Sequence, residues 1–305
     1  MKKVFVMLSA YNGEKYIKQQ IDSILGQKNV AVTLMIRDDG SKDSTPQIIT
    51  SVSEQDNRVM TEIGENIGFR RSFYDMLLKS PGDYDYYAFS DQDDVWEPEK
   101  LYRAVQMLED DSFELKLYAS ALNVVNQDLE PMYVNAFSGI RISYGSAISR
   151  QRLAGCTMVF NTALMQLYKK FRITAEMGDL FSHDAAVYYI CLACGGSVVF
   201  DKESYINFRR HEGTVTEHGK GFMKRVSSVL DIFGKKKNRR YNQVRYIKKV
   251  YGSYLTEETA DLSEEIIEYK KSFRNTIKLM KDKRIRCGIK SVDAVNSIAI
   301  LFHCY

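Results

Sequence analysis

Short apolar runs and stretches of helical periodicity alternate along the first hundred residues. Four apolar runs predict buried strands over residues 4–10, 30–36, 59–63 and 84–89. Between them, apolar side chains recur at helical spacing, as at Ile17, Ile21 and Ile24. This alternation predicts an α/β fold built on an open, mostly parallel sheet with helices on both faces.

Polar clusters follow directly after the apolar runs. They are Tyr11-Asn12, Asp38-Asp39, Asn66-Ile67-Gly68 and Asp91 to Asp94. In open α/β sheets, ligands bind beyond the carboxyl ends of the strands. The sequence therefore predicts one site that is formed by loops far apart in the chain.

The pattern becomes less regular after residue 113. Residues 115–125, 156–160 and 197–200 predict strands, and residues 183–194 predict a helix. Beyond residue 219 the pattern favours charged amphipathic helices. We expect one α/β domain over 1–215, divided into halves 1–112 and 113–215, and a basic helical C-terminal extension over 216–305.

Charge is distributed unevenly along the chain. The 305 residues have a formal net charge of +4, but residues 1–200 carry 20 basic and 26 acidic side chains, whereas residues 201–305 carry 23 and 13. Residues 220–249 alone hold 11 basic residues and one acid. An apolar content of 45% is typical of a globular chain, and no apolar run is long enough to cross a membrane.

The five cysteines predict free thiols in a reducing compartment, because their number is odd and they are scattered. Cys191 and Cys194 lack a second pair at zinc-ligand spacing, so we interpret them as part of a buried helix. The apolar N-terminal run is too short for a signal-peptide core. We therefore expect a cytosolic protein whose first strand begins near residue 4.

Three carboxylates, Asp91, Asp93 and Asp94, follow the fourth predicted strand. Like charges at this density need a cation or a shared proton. Carboxylate oxygens suit Mg²⁺ or Mn²⁺, which bind phosphate esters alongside one or two protein ligands. The alternative is an acidic loop that caps the helix beginning near Pro98.

Seven short motifs occur along the chain: Ser9 to Glu14, Asp38 to Asp43, Asn66 to Phe69, Phe89 to Trp96, Gly155 to Asn161, His183-Asp184 and Phe208 to His211. In order and spacing, these motifs resemble those of the family 2 glycosyltransferases. Three of them look most like the bacterial rhamnosyltransferase branch that builds surface polysaccharides: the Ser-Asp-Gln-Asp-Asp-Val-Trp form, the His-Asp pair and the Arg-x-His ending.

The resemblance implies an A-type glycosyltransferase fold, a nucleotide-sugar donor, a divalent metal and inversion at the anomeric carbon. Residues 1–112 would be the nucleotide-sugar half and 113–215 the acceptor half. The implied nucleotide-binding residues are Ala10, Tyr11, Glu14, Asp39 and Asp91. The implied metal ligands are Asp93 and His211, and Arg209 would lie on the diphosphate.

Asp184 occupies the place of the family's catalytic base. A sugar hydroxyl attacks only when a carboxylate accepts its proton, and a single base without a nucleophile on the other face predicts inversion. The alternative for Asp184 is an N-cap of the helix that follows. Trp96 and Gly155 would line the acceptor side, although core packing and a strand-start glycine are alternatives for them.

The donor implied by the resemblance is thymidine-diphosphate rhamnose, with UDP-hexose or UDP-N-acetylhexosamine as alternatives. The expected acceptor is a lipid-linked glycan or an oligosaccharide.

Residues 219–250 combine an apolar helical face with basic side chains, which favours peripheral docking on anionic lipid at the inner membrane face. Packing on the catalytic domain is the alternative. Few aromatic side chains interleave the basic ones, so we expect no nucleic acid partner. Other classes left open are a nucleotidyltransferase, a phosphohydrolase and a membrane-surface binding module.

Overall fold

A seven-stranded sheet forms the centre of the molecule. The structure is a computed structural model that describes residues 1–137, 139, 141–150, 152–171, 180–211, 234 and 237–305. The strand order is β10-β6-β9-β4-β1-β2-β3, and only β9 runs antiparallel to its neighbours. The strands are β1 (Lys2–Ala10), β2 (Val30–Asp38), β3 (Val59–Ile63), β4 (Tyr86–Ser90), β6 (Lys116–Ser120), β9 (Val159–Asn161) and β10 (Ser197–Asp201).

Helices cover both faces of this sheet. Alternate residues of β1 enter two different hydrophobic clusters: Phe5 and Met7 lie in one, and Val4, Val6 and Leu8 in the other. A parallel strand buried on both faces reads as a continuous apolar run, which is why β1 shows no polar alternation. The helices of the first two thirds are α1 (Ile17–Leu25), α2 (Thr45–Gln55), α3 (Phe69–Lys79), α4 (Lys100–Glu109), α5 (Tyr144–Ser149), α6 (Thr162–Tyr168) and α7 (His183–Ala193). The predicted mostly parallel α/β fold is confirmed.

A second, four-stranded sheet was not predicted. Its order is β5-β11-β7-β8, where β5 is Val95–Trp96, β7 is Leu122–Val125, β8 is Pro131–Asn135 and β11 is Ile206–Arg209. The prediction of one strand over 115–125 is therefore wrong. The chain leaves the large sheet at Ala121, whose N–H donates to the carbonyl of Asp201, and β7 then pairs with β11.

The prediction of a strand over 156–160 is correct only for its last residues. A 3₁₀ turn occupies Gly155–Thr157 and β9 begins at Val159. The turn forms because both the N–H and the hydroxyl of Thr157 donate to the carbonyl of Ala154. It turns Gly155 and Cys156 toward the acidic loop that follows β4.

The described C-terminal residues form helices that share a core with the α/β part. Val244, Ile247, Ile300 and Tyr305 belong to the same hydrophobic cluster as the residues of α7. The boundary expected at 215/216 lies outside the described residues, as do 219–233, 235 and 236 of the basic segment. Within the described part of the chain, no helix is long and apolar enough to span a bilayer. The helices are α8 (Arg239–Tyr251), α9 (Glu257–Glu268), α10 (Phe273–Lys281) and α11 (Lys290–Leu301).

Candidate active site

The loops after β1, β2 and β4 meet at the carboxyl edge of the large sheet, as predicted. The Gln92 side chain joins two of them, because it accepts from the Tyr11 N–H at 2.8 Å and donates to the Tyr11 carbonyl at 3.0 Å. A Cβ added at Gly13 would lie 2.3 Å from Gln92 Oε1, so any larger residue there would displace the Gln92 amide from Tyr11. The Asp39 N–H donates to the Ala10 carbonyl at 2.7 Å.

Asp39 lies at the end of β2 with its carboxylate turned toward the segment before α3. That carboxylate accepts from the backbone N–H groups of Ile67 and Gly68 at 2.9 and 2.8 Å. The buried Arg37 guanidinium donates to it at 2.6 Å. Gly68 has a φ of +82°, a conformation that side chains with a Cβ rarely adopt. Hydrogen bonds thus join the Asn66-Ile67-Gly68 cluster to the Asp38-Asp39 cluster.

Tyr11 and Glu14, two further residues implied in nucleotide binding, are exposed at the same edge. Tyr11 is 46% exposed, and its ring is accessible to a ligand. Glu14 accepts from the Ser44 N–H at 2.8 Å, which joins the loop after β1 to the start of α2. Ala10 is fully buried, so it can offer only backbone atoms to a ligand.

The acidic loop after β4 brings three carboxylates together. Burial, together with the Asp93 and Asp184 carboxylates, raises the pKa of Asp91 to about 7. Burial and the neighbouring Asp93 and Asp91 likewise raise the pKa of Asp94. Gly155 lies against Asp184, and a ligand atom of the next residue, Cys156, lies within 4.8 Å of ligand atoms of Asp91 and Asp94, so this turn connects Asp184 with the acidic loop.

His211 follows β11 and lies against the acidic loop. Its Nε2 lies 2.8 Å from Asp93 Oδ2, and its ring centroid is 5.0 Å from that of Tyr16. Asp93 and His211 are the two residues that the resemblance names as metal ligands. The structure brings them into direct contact.

Asp184 lies in the first turn of α7. Its Oδ1 accepts from the Ala185 N–H at 2.8 Å, whereas Ser182 occupies the N-cap position. A Cβ at Gly155 would lie 3.0 Å from Asp184 Cβ and 2.9 Å from His183 Nε2. Gly155 therefore lets the amino end of α7 approach the acidic loop.

His183 packs among aromatic rings. It stacks on Phe73 with centroids 3.8 Å apart and meets Phe89 edge-on at 4.6 Å. Burial lowers the pKa of His183 to about 4. The imidazole is therefore neutral near pH 7.

Arg209 does not present its guanidinium to a ligand. The side chain is 3% exposed and donates to the carbonyls of Asp93 and Gln127 and to the side chain of Gln19. It holds the acidic loop against β11, so the expected contact with a diphosphate would require these hydrogen bonds to break.

Trp96 is also buried. It is 2% exposed, and the Lys100 ammonium nitrogen lies 3.6 Å from its ring centroid. Trp96 is therefore part of the protein core.

Sequence reasoning did not identify Lys100, Gln92 or Arg37, because each is an ordinary polar residue whose role depends on partners distant in sequence.

The donor atoms at this edge fit a divalent cation. Asp94 Oδ2 is buried and has no hydrogen-bond partner among the described residues. Ligand atoms of Asp91, Asp94 and Cys156 lie within 4.8 Å of one another, beside the Asp93–His211 pair. The carboxylate oxygens suit Mg²⁺ or Mn²⁺, whereas the His211 imidazole and the Cys156 thiol are donors that Zn²⁺ accepts more readily.

Comparison with known proteins identifies the family. The model described as Glycosyl transferase family 2 matches residues 5–171, which contain β1 to β4 and the acidic loop. The chain belongs to the family 2 glycosyltransferases. It is therefore a nucleotide-sugar transferase with a saccharide acceptor, and the nucleotidyltransferase, phosphohydrolase and non-enzyme alternatives are excluded.

Two relatives and a solved structure extend the comparison. The chain is 28% identical over 220 residues to the dTDP-rhamnosyl transferase RfbG of Shigella flexneri, which covers 67% of this chain and 72% of that protein. It is 26% identical over 157 residues to the putative teichuronic acid biosynthesis glycosyltransferase TuaG of Bacillus subtilis, which covers 51% and 60%. The crystal structure of S. aureus TarS 1–349 aligns with a TM-score of 0.56 at 15% identity and covers 97% and 83%. This likeness confirms the A-type glycosyltransferase fold of the family 2 enzyme.

Proposed function

We propose that the enzyme inverts the anomeric carbon as it transfers a sugar from a nucleoside diphosphate to a hydroxyl of a growing surface polysaccharide. The observation that carries this proposal is that Asp184 lies against Gly155, next to Cys156, whose ligand atom lies within 4.8 Å of those of Asp91 and Asp94. An isolated N-cap would not need to lie near the acidic loop. The test is release of nucleoside diphosphate from a nucleotide sugar in the presence of metal and a glycan acceptor.

The nucleotide would bind across the loops after β1 and β2. The exposed ring of Tyr11 is available to stack on the base, and the Ala10 backbone and Glu14 border the same edge. Asp39 would accept from a base N–H, and its orientation is already held by Arg37. Asp91 would contact the ribose from the opposite loop.

Asp93 and His211 would hold the divalent cation, with Asp91 nearby. When bound, the cation would take up the negative charge that develops on the departing diphosphate. The raised pKa of Asp91 supports this assignment, because a cation there would offset the repulsion between carboxylates. A chelator should then abolish transfer, and added Mn²⁺ or Mg²⁺ should restore it.

Asp184 would act as the general base. Its carboxylate accepts the proton of the acceptor hydroxyl while that oxygen forms the new bond to the anomeric carbon and the bond to the diphosphate breaks. Only one carboxylate then serves the acceptor side, so the product would have the inverted configuration. Gly155 would keep the approach to Asp184 open.

We infer a rhamnosyl donor carried on thymidine diphosphate. The support is the His183-Asp184 and Arg209-to-His211 forms of the motifs and the likeness to RfbG. UDP-N-acetylglucosamine is the second candidate, because TarS has been crystallised with it and shares the fold. A thermal-shift screen of nucleotide sugars with Mn²⁺ distinguishes them, since a ligand specific to the native state raises the melting temperature.

We further propose that the basic segment 219–250 docks the enzyme peripherally on the inner face of the membrane, where a lipid-linked acceptor would be reached. Each juxtamembrane Lys or Arg contributes about 1 kcal/mol on anionic lipid. Arg239 and Arg240 donate to the carbonyls of Leu180 and Ser149, so they are unsuitable as test positions. Replacing Lys235, Lys236 and Lys237 by serine should reduce co-sedimentation with anionic vesicles. Binding of the wild type to neutral vesicles as strong as its binding to anionic vesicles would contradict the proposal.

A further inference from the structure

Arg37 is a buried cation in β2, next to the proposed base-binding residue Asp39. Its side chain is 4% exposed, and its Nη1 donates to Asp39 Oδ1 at 2.6 Å. Its Nη2 donates to the Glu65 carbonyl at 3.2 Å. A Cβ added at Gly64 would lie 2.6 Å from the same nitrogen, so the chain passes close to the guanidinium there. Arg37 thus joins the end of β2 to the segment that leads into α3.

Two further carboxylates contribute to the surroundings of Arg37. Its Nε lies 3.4 Å from Asp75 Oδ2 and 3.7 Å from Glu62 Oε1. Lys79 pairs with both of these carboxylates, at 2.7 and 2.6 Å. With Asp39, these side chains form one network of charges. The planar guanidinium is fixed in orientation because its donors must match acceptors on several sides at once.

The Asp39 carboxylate has one acceptor position left. A carboxylate can accept about four hydrogen bonds, two at each oxygen. Oδ1 accepts from Arg37 and from the Ile67 N–H at 2.6 and 2.9 Å, and Oδ2 accepts from the Gly68 N–H at 2.8 Å. Within the described part of the chain, the unused position therefore lies on Oδ2. The side chain is 3% exposed, so a ligand can offer it a single N–H.

We propose that Arg37 is a positioning residue that leaves Asp39 this one acceptor position and thereby selects uracil or thymine over cytosine. Uracil and thymine carry a hydrogen on ring nitrogen N3, whereas N3 of cytosine is an acceptor. Cytosine would place a lone pair against a carboxylate that cannot turn, because Arg37 and two backbone N–H groups hold it. The inference rests on the proposed function in assigning Asp39 to the base, and it does not depend on the sugar that is transferred.

The test measures the affinity of the enzyme for uridine, thymidine and cytidine diphosphate by calorimetry with Mn²⁺. The wild type should bind the first two about 10- to 100-fold more tightly than the third, because a buried charged acceptor without a donor is costly. In Arg37→Met the carboxylate can turn toward the 4-amino group of cytosine, so this preference should fall to about threefold or less. Arg37→Lys keeps the charge but lacks the planar fork that reaches Asp39 and the Glu65 carbonyl, so its preference should be intermediate.

Arg58→Met is the matched control. Arg58 is 45% exposed and pairs at 2.7 Å with Asp56, which is two residues away in sequence, as Asp39 is from Arg37. Its loss removes an arginine–aspartate pair of the same spacing from the surface. The preference for uridine over cytidine diphosphate should therefore stay at the wild-type value.

The preference separates positioning from a merely structural role, which would lower both affinities equally. An unchanged preference in folded Arg37→Met would overturn the inference. If Arg37→Met does not fold, a full wild-type preference in Arg37→Lys would overturn it. Equal affinity of the wild type for uridine and cytidine diphosphate would also overturn it. Because binding of the diphosphates needs neither sugar nor acceptor, absence of turnover with every nucleotide sugar would instead count against the proposed function.

Discussion

Replacing Gly155 by alanine tests whether the approach of α7 to the acidic loop is needed for catalysis. The new Cβ would lie 2.9 Å from His183 Nε2 and 3.0 Å from Asp184 Cβ, both closer than real Cβ atoms normally come. His183 cannot retreat, because its ring is stacked on Phe73 at 3.8 Å. The adjustment therefore falls on Asp184 and the amino end of α7.

The size of the effect follows from that geometry. Relieving the contacts needs a shift of roughly 0.5 Å, and overpacking of this kind costs about 1 to 3 kcal/mol. For a chain of this size the melting temperature should fall by about 2 to 5 °C. Because displacements approaching 1 Å at a reacting group can cost about 100-fold, we expect kcat to fall by about 10- to 100-fold.

The assay is nucleoside diphosphate release at saturating donor, with donor binding measured separately by calorimetry. Donor affinity should stay within threefold, because the atoms nearest to the added Cβ belong to His183 and Asp184 and not to Tyr11 or Asp39. Gly82→Ala is the matched control, since nothing lies within 4 Å of its added Cβ. A kcat within twofold of wild type in folded Gly155→Ala would refute the reasoning.

Three further predictions concern the metal, the His183 imidazole and the nucleotide loop. Asp93→Ala should abolish transfer while the melting temperature changes by less than about 3 °C, and activity that persists in chelator would contradict a metal role. The pKa of His183 is about 4 when folded and about 6.5 when unfolded, so stability should be lost as pH falls through that window, by at most about 3 kcal/mol. Melting curves of His183→Phe should lack that part of the acid dependence; an unchanged profile would exclude His183 as its source. Gln92→Ala removes two hydrogen bonds to Tyr11 and should weaken nucleoside diphosphate binding by about tenfold in calorimetry with kcat little changed, whereas the exposed Gln47→Ala should have no effect.

The sequence was sufficient to predict the parts of the fold that depend on local pattern. β1 and β2 lie within a few residues of their predicted bounds because strands buried on both faces read as apolar runs. The convergence of the polar clusters could be predicted because ligand sites in open α/β sheets lie beyond the carboxyl ends of the parallel strands. The second sheet could not be predicted: β5 has two residues, and β8 has no buried side chain to give an alternating pattern.

Site residues that belong to short motifs could be predicted from the sequence. Site residues whose role depends on tertiary packing could not. Asp91, Asp93 and Asp184 could be named in advance, but the burial of Arg37 and Lys100 could not. Arg37 is stabilised by Asp39, Glu62 and Asp75, which come from three elements. Trp96 and Arg209 were expected at the ligand, yet tertiary packing turns both inward.

The most direct test of the account is the turnover of Asp184→Asn measured beside its donor affinity. Asparagine keeps the shape of the side chain and can still accept from the Ala185 N–H, but it cannot take a proton from the acceptor. We predict that nucleoside diphosphate release in the presence of acceptor falls by about 10² to 10⁴-fold while donor binding stays within threefold. Normal turnover with weakened donor binding would contradict the assignment of Asp184 as the base, and with it the proposed mechanism.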